Sequence, residues 1–384
     1  MTNRKIRILA AVATLTVVLA FTDARAQTTS VFAVGLNAPV KIIITPLGNL
    51  LVAENGFVAN AGRVSVIDKL GNRKTVLDGL PAGISAEGGE ISGPSGLELQ
   101  GRTLFVVIGE GDGTLLGPIP GTLIPNPNPS SPILSSVLAV HFSASVEKEP
   151  NGFSLTLADH ATLAAGGVVT LTNANGEKIT VELITDFPNF VPDPLPFFPD
   201  NVRHSNPFGV ASAGKYLYVV DGGQNSVKRV NVQGGGVQTL ATFPPRPNPL
   251  PFGPPVIDAV PDSIRLAGDQ LLVPLLTGFP FVPGLSEIKS VDRVTGSYTT
   301  LIGGRSSAID VIPGKKASGF YVLEFSTDFL ANEPGQLLFF NSPAAVPTVV
   351  SAGLITPTNV ARDSKSGSLF VTELATGRVM RVDP

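Results

Sequence analysis

The 384-residue sequence predicts an all-β protein, a six-bladed β-propeller built of four-stranded antiparallel blades. A short apolar strand recurs six times, at residues 50–54 (LLVAE), 104–110 (LFVVIGE), 217–221 (LYVVD), 271–276 (LLVPLL), 320–325 (FYVLEF) and 369–374 (LFVTEL). The second residues of these runs are 54, 113, 54, 49 and 49 positions apart, and a strand-built period near fifty marks a propeller or array. The runs are almost continuously apolar rather than alternating, as expected of sheets covered on both faces when one blade stacks on the next.

The chain opens with a leader. Arg4, Lys5 and Arg7 precede an apolar run at 8–21, and Ala24-Arg25-Ala26 forms a small-x-small cleavage site before Gln27. That is the layout of a secretory signal peptide. The run is shorter than the ~20 residues of a spanning helix, which argues against the alternative of a retained anchor. Residues 1–26 are therefore assigned to a signal peptide and 27–384 to the propeller, with a periplasmic or secreted bacterial location expected. Removing the leader takes four basic residues and one acid, so the formal net charge moves from −3 to −6. An acidic export product argues against nucleic acid as a partner, and against a membrane surface once the leader is cleaved. There is no cysteine, so neither disulfides nor thiol chemistry is available, and stability must come from a large core.

The cleanest repeat is 205–243, with strands expected at 208–211, 216–221, 226–232 and 237–243 separated by Gly214, Gly222-Gly223 and Gly234-Gly235-Gly236. Inner strands are expected to start near Pro39, Pro94, Pro207, Pro261, Ser307 and Pro357, because proline is tolerated at a strand's first residue. Third strands fall at 63–68, 136–142, 226–232, 287–293, 336–341 and 378–383, and fourth strands at 73–77, 179–187, 237–243, 298–302 and 347–352. The sixth copy has no fourth strand of its own. Residues 30–36 (SVFAVGL) match 349–354 (VVSAGL) and are expected to complete it, closing the ring through the two chain ends. Pro274 sits within a strand paired on both sides and predicts a bulge or lost pairing in blade four. The step of 113 needs an insertion at about 143–178, between the third and fourth strands of blade two, with a short helix at 157–165 and a hairpin at Asn175-Gly176. The alternative, a degenerate seventh blade, lacks the strand motif and its upstream proline.

With the repeat read, the chain resembles the NHL-like six-bladed propellers, and in particular the ScyD/ScyE family of exported bacterial proteins. The residues that carry the resemblance are GPSGLEL (93–99), HSNPFGV (204–210), LYVVDGGQNSVKRV (217–230) and TPTNVARD with LFVTELATGRVMRVD (356–383). The resemblance implies a link to synthesis of a sunscreen pigment and supplies no catalytic residues.

Candidate site residues gather on one face, where second strands end and inner strands begin. Glu54, Glu110, Asp221, Glu324 and Glu373 lie at or just beyond second strands, and Asn206, Asp262 and Asn359 near the start of inner strands. Oxygen ligands from several blades suit Ca²⁺ at the channel mouth. The alternative is that these acids cap strand ends and accept turn hydrogen bonds; on that reading no cofactor is needed. His141, His160 and His204 are scattered, no HExxH is present, and Gly93-Pro94-Ser95-Gly96 is not a nucleophile elbow. His204, in a mouth-side loop, is the one candidate general base. Asp221, Asn225 and Arg229 fit the repeat's own turn chemistry.

Four long Pro-rich loops, 118–132, 188–199, 244–261 and 277–286, lie on the same face. They or their flanks carry Phe187, Phe190, Phe197, Phe198, Phe243, Phe252, Phe279 and Phe281. Proline limits the ordering entropy lost on binding, so Phe197, Phe198, Phe279 and Phe281 are expected to form a stiff apolar rim for a protein, a peptide or a glycan. The alternative places them as pins holding the loops to the propeller. The leading expectation is a monomeric, non-catalytic binding propeller; its rival is a metal-dependent propeller enzyme of lactonase or sugar-dehydrogenase type.

Overall fold

Each sheet of this chain is apolar on both faces because each is packed between two others. The computed structural model describes residues 28–148, 150–234, 236–315 and 319–383, and the expected signal peptide lies outside them. Blade one runs Pro39–Ile44, Leu50–Glu54, Gly62–Ile67, Arg73–Leu80; blade two Pro94–Gln100, Thr103–Ile108, Ser136–His141, Lys178–Asp186. Blade three runs Pro207–Ala213, Tyr216–Asp221, Ser226–Asn231, Val237–Thr242; blade four Arg265–Ala267, Gln270–Leu275, Ser286–Asp292, Tyr298–Arg305. Blade five runs Ala308–Pro313, Phe320–Glu324, Gly335–Phe340, Thr348–Leu354. Blade six runs Pro357–Arg362, Leu369–Glu373, Arg378–Asp383, and then takes Thr28–Ala33 from the other end of the chain. That closing pair is antiparallel, from Thr28 opposite Asp383 to Ala33 opposite Val379 with a bulge after Val31, and it confirms the expected ring closure.

The core divides into six layers, one between each pair of neighbouring blades. Alternate residues of one strand serve opposite layers. Leu51 and Ala53 pack toward blade two with Leu104, Val106 and Ile108, whereas Leu50 and Val52 pack toward blade six with Ala361, Phe370 and Val379. The other layers repeat the scheme, as with Val219 toward blade two and Tyr218 and Val220 toward blade four. Inner strands approach closely at Gly209, where an added Cβ would stand 2.8 Å from Ser263 Cα, so only glycine fits there.

Blade four shows the lost pairing expected around Pro274, on top of a register shift that the inner pair of every other blade also has near its start. On its outer side Pro274 pairs in register with Ile288. On its inner side regular pairing covers only Arg265–Ala267, with an isolated bridge from Pro261 to Leu275. Asp262 still donates its N–H to the Pro274 carbonyl at 3.2 Å, and Ser263 and Ile264 have no ladder pair.

Residues 143–178 carry two helices, Ala144–Lys148 and Leu157–Ala164. They also hold the two-residue strand Phe153–Ser154, parallel to Arg73–Leu80 of blade one, and Val169–Thr172, a fifth strand on blade two. Buried Glu147 accepts from Arg102 of blade two at 2.8 Å and from Thr45 and Asn49 of blade one. His160 bridges Ser131 and the Gly79 carbonyl. This segment therefore fastens blades one and two together. No helix among the described residues is long and apolar enough to cross a membrane.

Candidate functional site

Four blades end the second strand on an acid, and each acid turns back onto the chain entering its own inner strand. Glu54 accepts the Asn37 N–H at 2.5 Å and pairs with Arg73 at 3.0 Å. Glu324 accepts the Ser306 N–H at 3.0 Å and Gln336 Nε2 at 2.7 Å. Glu373 accepts the Ile355 N–H at 2.7 Å and Thr376 Oγ1 at 2.7 Å. Asp221 accepts the Asn206 and Gln224 N–H groups at 2.9 and 3.0 Å. Buried carboxylate oxygens need donors, and here the chain supplies them. Glu54, Glu324 and Glu373 are thus occupied within their own blades instead of sharing one cage. Among the described residues no three His, Asp or Glu side chains stand close enough to hold one metal ion.

Blade two departs from this pattern. Its second strand ends on Ile108, opposite Pro94, and the acid falls two residues later, at Glu110. Glu110 Oε1 accepts from Ser85 Oγ at 2.8 Å, and Oε2 lies 3.5 Å from His204 Nε2. The other ring nitrogen of His204 faces Glu87 at 3.7 Å. Burial raises the pKa of Glu110 and the neighbouring His204 works against that rise. His204 ends the short strand Val202–His204, paired with Phe190–Pro192, so the long loop after blade two delivers the imidazole to the mouth.

Two acceptors beside this pair, and one carboxyl oxygen of the neighbouring blade four, have no hydrogen-bond partner. Asn206 Oδ1, Asp221 Oδ2 and Asp262 Oδ2 are buried without a hydrogen-bond partner among the described residues. They are close in the fold. A Cβ on Gly109 would lie 3.2 Å from Asn206 Oδ1, Gly222 donates its N–H to the Asn206 carbonyl, and a Cβ on Gly222 would lie 3.5 Å from the Pro261 carbonyl. Glu110, Asn206 and Asp221 therefore follow one another across blades two and three, while the Asp262 side chain of blade four has Lys41 and Asp310 of the axis as its charged neighbours. Burial raises the pKa of Asp221 against its two amide donors, and burial lifts Asp262 to about 8 against the pull of Lys41.

Asn359 is not at the mouth. It belongs to a buried polar network on the propeller axis. Asp310 accepts from Arg265 at 2.6 Å, from Ser263 Oγ at 2.8 Å, from Asn359 Nδ2 at 2.5 Å and from the Val360 N–H at 3.0 Å. Asn359 Oδ1 accepts the Ile42 N–H at 3.1 Å, and Lys41 Nζ reaches across to Ser263 Oγ at 2.9 Å. Burial alone would raise Asp310, but Arg265 and Lys41 outweigh it and hold the carboxyl below its usual range. Burial and Arg265 lower Lys41 to about 8. Glu98 of blade two is bonded to Ser212 of blade three at 2.6 Å. Lys41, Glu98, Ser263, Arg265 and Asp310 were missed in the sequence. Their signal is one charged residue inside an otherwise uncharged inner strand, as in PVKIII, PSGLELQ and AIDVIP.

The aromatic loops divide. Phe187 and Phe243 are core, at 4% and 1% exposure. Phe197 and Phe279 project, at 65% and 49%, and Phe198 is half-buried. Phe281 is half-buried against Phe329, with ring centroids 4.2 Å apart, and Phe279 meets Phe281 edge-on at 6.4 Å. Phe281 is thus both rim and pin, and Phe329 joins the rim from blade five.

No protein-family model and no curated protein matches the chain. Solved structures do. The chain is similar to an auxiliary nutrient binding protein from Bacteroides thetaiotaomicron (TM-score 0.53, 10% identity, 93% of this chain and 76% of that one). It is similar to the soluble aldose sugar dehydrogenase of Escherichia coli in its apo-form (0.51, 12%, 93% and 99%). It is also similar to the PQQ-bound aldose sugar dehydrogenase of Streptomyces coelicolor (0.50, 14%, 93% and 98%). At these identities the likeness shows the six-bladed propeller fold.

Proposed function

We propose that this chain is an exported binding propeller of the ScyD/ScyE type whose mouth face takes a neutral, hydroxyl-rich ligand such as an oligosaccharide. The observation that carries this reading is the pair of buried acceptors with no donor, Asn206 Oδ1 and Asp221 Oδ2, beside Glu110. A buried acceptor left unpaired costs about 1–3 kcal/mol, and sugar hydroxyls supply the missing donors. The Phe279–Phe281–Phe329 cluster offers an apolar surface for the ring face of a sugar. A glycan array of neutral oligosaccharides tests it. Retention of a defined subset, lost on Asn206→Ala, supports the reading; no retention, or equal retention by the variant, overturns it.

A dehydrogenase reading through PQQ does not fit the corner of the mouth around His204 and Glu110. PQQ is a tricarboxylate and needs cationic donors. The carboxylates facing His204 are Glu87 and Glu110, Glu90 acts on Glu110, and Arg203 and Arg246 are already held by Asp258 and Glu287. A second, enzymatic reading rests on His204 and Glu110, a histidine and a raised carboxyl 3.5 Å apart that suit proton transfer. Mass spectrometry of a retained glycan after incubation separates the two: an unchanged sugar supports binding alone, and a product lost on His204→Ala supports the enzyme.

A further inference from the structure

The propeller axis has a second opening, at the end opposite the mouth, where inner strands finish. A cavity of about 250 Å³ lies there, walled by Ile42, Ile44, Ile312 and Pro313 and by two guanidinium groups, Arg265 and Arg362. The floor is the Asp310 network. Arg265 spends Nε and Nη2 on Asp310, Asn359 and the Val360 carbonyl, while its Nη1 has no hydrogen bond among the described residues. Asp310 in turn is fully occupied and has no lone pair to offer Arg362. No carboxylate among the described residues pairs with Arg362, whose electrostatic neighbour is the phenol of Tyr321. An unpaired guanidinium beside three isoleucine and proline walls is matched by a ligand with an anionic head and an apolar body.

We propose that this lower cavity binds a small monocarboxylate with a short alkyl chain, its carboxylate on Arg362 and Arg265 Nη1 and its chain against Ile42, Ile44 and Ile312. Arginine presents a planar fork that matches a carboxylate, and a partly enclosed site strengthens that pairing. The chain contributes through burial, so each added methylene tightens binding about fourfold until the cavity is filled. The site is separate from the mouth and does not rest on the glycan reading.

Calorimetric titration of the full mature protein with butyrate, pentanoate and hexanoate tests the proposal, with hexanol and sulfate as controls. The expected result is saturable binding that strengthens along the acid series, is absent for hexanol, and falls at least tenfold in Arg362→Gln. Arg362→Lys keeps the charge, so it should retain more affinity than Arg362→Gln; an unchanged melting profile shows that either variant is folded. No saturable binding of hexanoate up to about 10 mM, which would fill most of a ~1 mM site, overturns the proposal. Equal binding by Arg362→Gln, or sulfate binding as tightly as hexanoate, overturns it as well.

Discussion

Arg265 and Asp310 hold each other at two points inside the propeller axis, Nε to Oδ1 at 3.1 Å and Nη2 to Oδ2 at 2.6 Å. The pair joins inner strands of blades four and five, and Asn359, Ser263 and the Val311 and Val360 N–H groups complete the carboxylate's bonding. Ser263, which has no ladder pair opposite Pro274, is thereby anchored through its side chain.

Asp310→Ala should therefore be among the most damaging single changes in the chain. It leaves Arg265 buried and unpaired, and breaking such a pair costs about 3–5 kcal/mol. Chemical denaturation of the variant checks this; a loss below about 1 kcal/mol would show that the network is dispensable.

Ring closure is the second test. Deleting residues 28–36 exposes the third strand of blade six and removes Ala33 and Leu36 from the layer they share with Ile42, Val52 and Phe370. Lost burial and orphaned strand groups together should cost about 3 kcal/mol or more. The melting temperature should fall clearly, and an unchanged value would place the closure elsewhere.

Stability should dip near pH 8. Asp262 has a folded pKa of about 8, above its ordinary 3.8. Its contribution is complete below about pH 4 and is lost as pH rises through 8. Lys41 is lowered from 10.5 to about 8, so its contribution is complete above about pH 10.5 and is lost as pH falls through 8. Melting temperatures measured from pH 5 to 10 should show the valley. Asp262→Asn, which mimics the protonated acid, should flatten the acid-side slope and stabilise the protein at pH 8; a slope unchanged in that variant would contradict the assignment.

The fastening of blades one and two predicts a local effect. Glu147→Gln weakens the bonds to Arg102, Thr45 and Asn49 at a cost of about 1–3 kcal/mol. Hydrogen exchange should rise first in residues 143–178, ahead of the blade strands. Uniform exchange across the chain would show that the segment is not separately held.

The blades were legible because their signal is local. Leu217–Tyr218–Val219–Val220 is apolar on both faces, and its spacing from the next copy is set by a fixed unit of four strands. Ring closure was legible from the likeness of 30–36 to 349–354. The site was less so. Glu54, Glu110, Asp221, Glu324 and Glu373 look alike in sequence, yet their surroundings differ. Three have both oxygens occupied by their own blade, Asp221 has one oxygen free, and Glu110 is displaced by two residues toward His204. That difference depends on inter-blade packing, which no short motif encodes. The axis network was hidden for the same reason: Lys41 and Ser263 bond across the ring, 222 residues apart.

Calorimetric titration of an array-selected oligosaccharide against the parent, Asn206→Ala and Arg362→Gln tests the mouth assignment most directly. The account predicts tight binding to the parent, at least a tenfold loss in Asn206→Ala with little change in melting temperature, and no change in Arg362→Gln. Equal binding to the parent and Asn206→Ala, or a loss confined to Arg362→Gln, would contradict it.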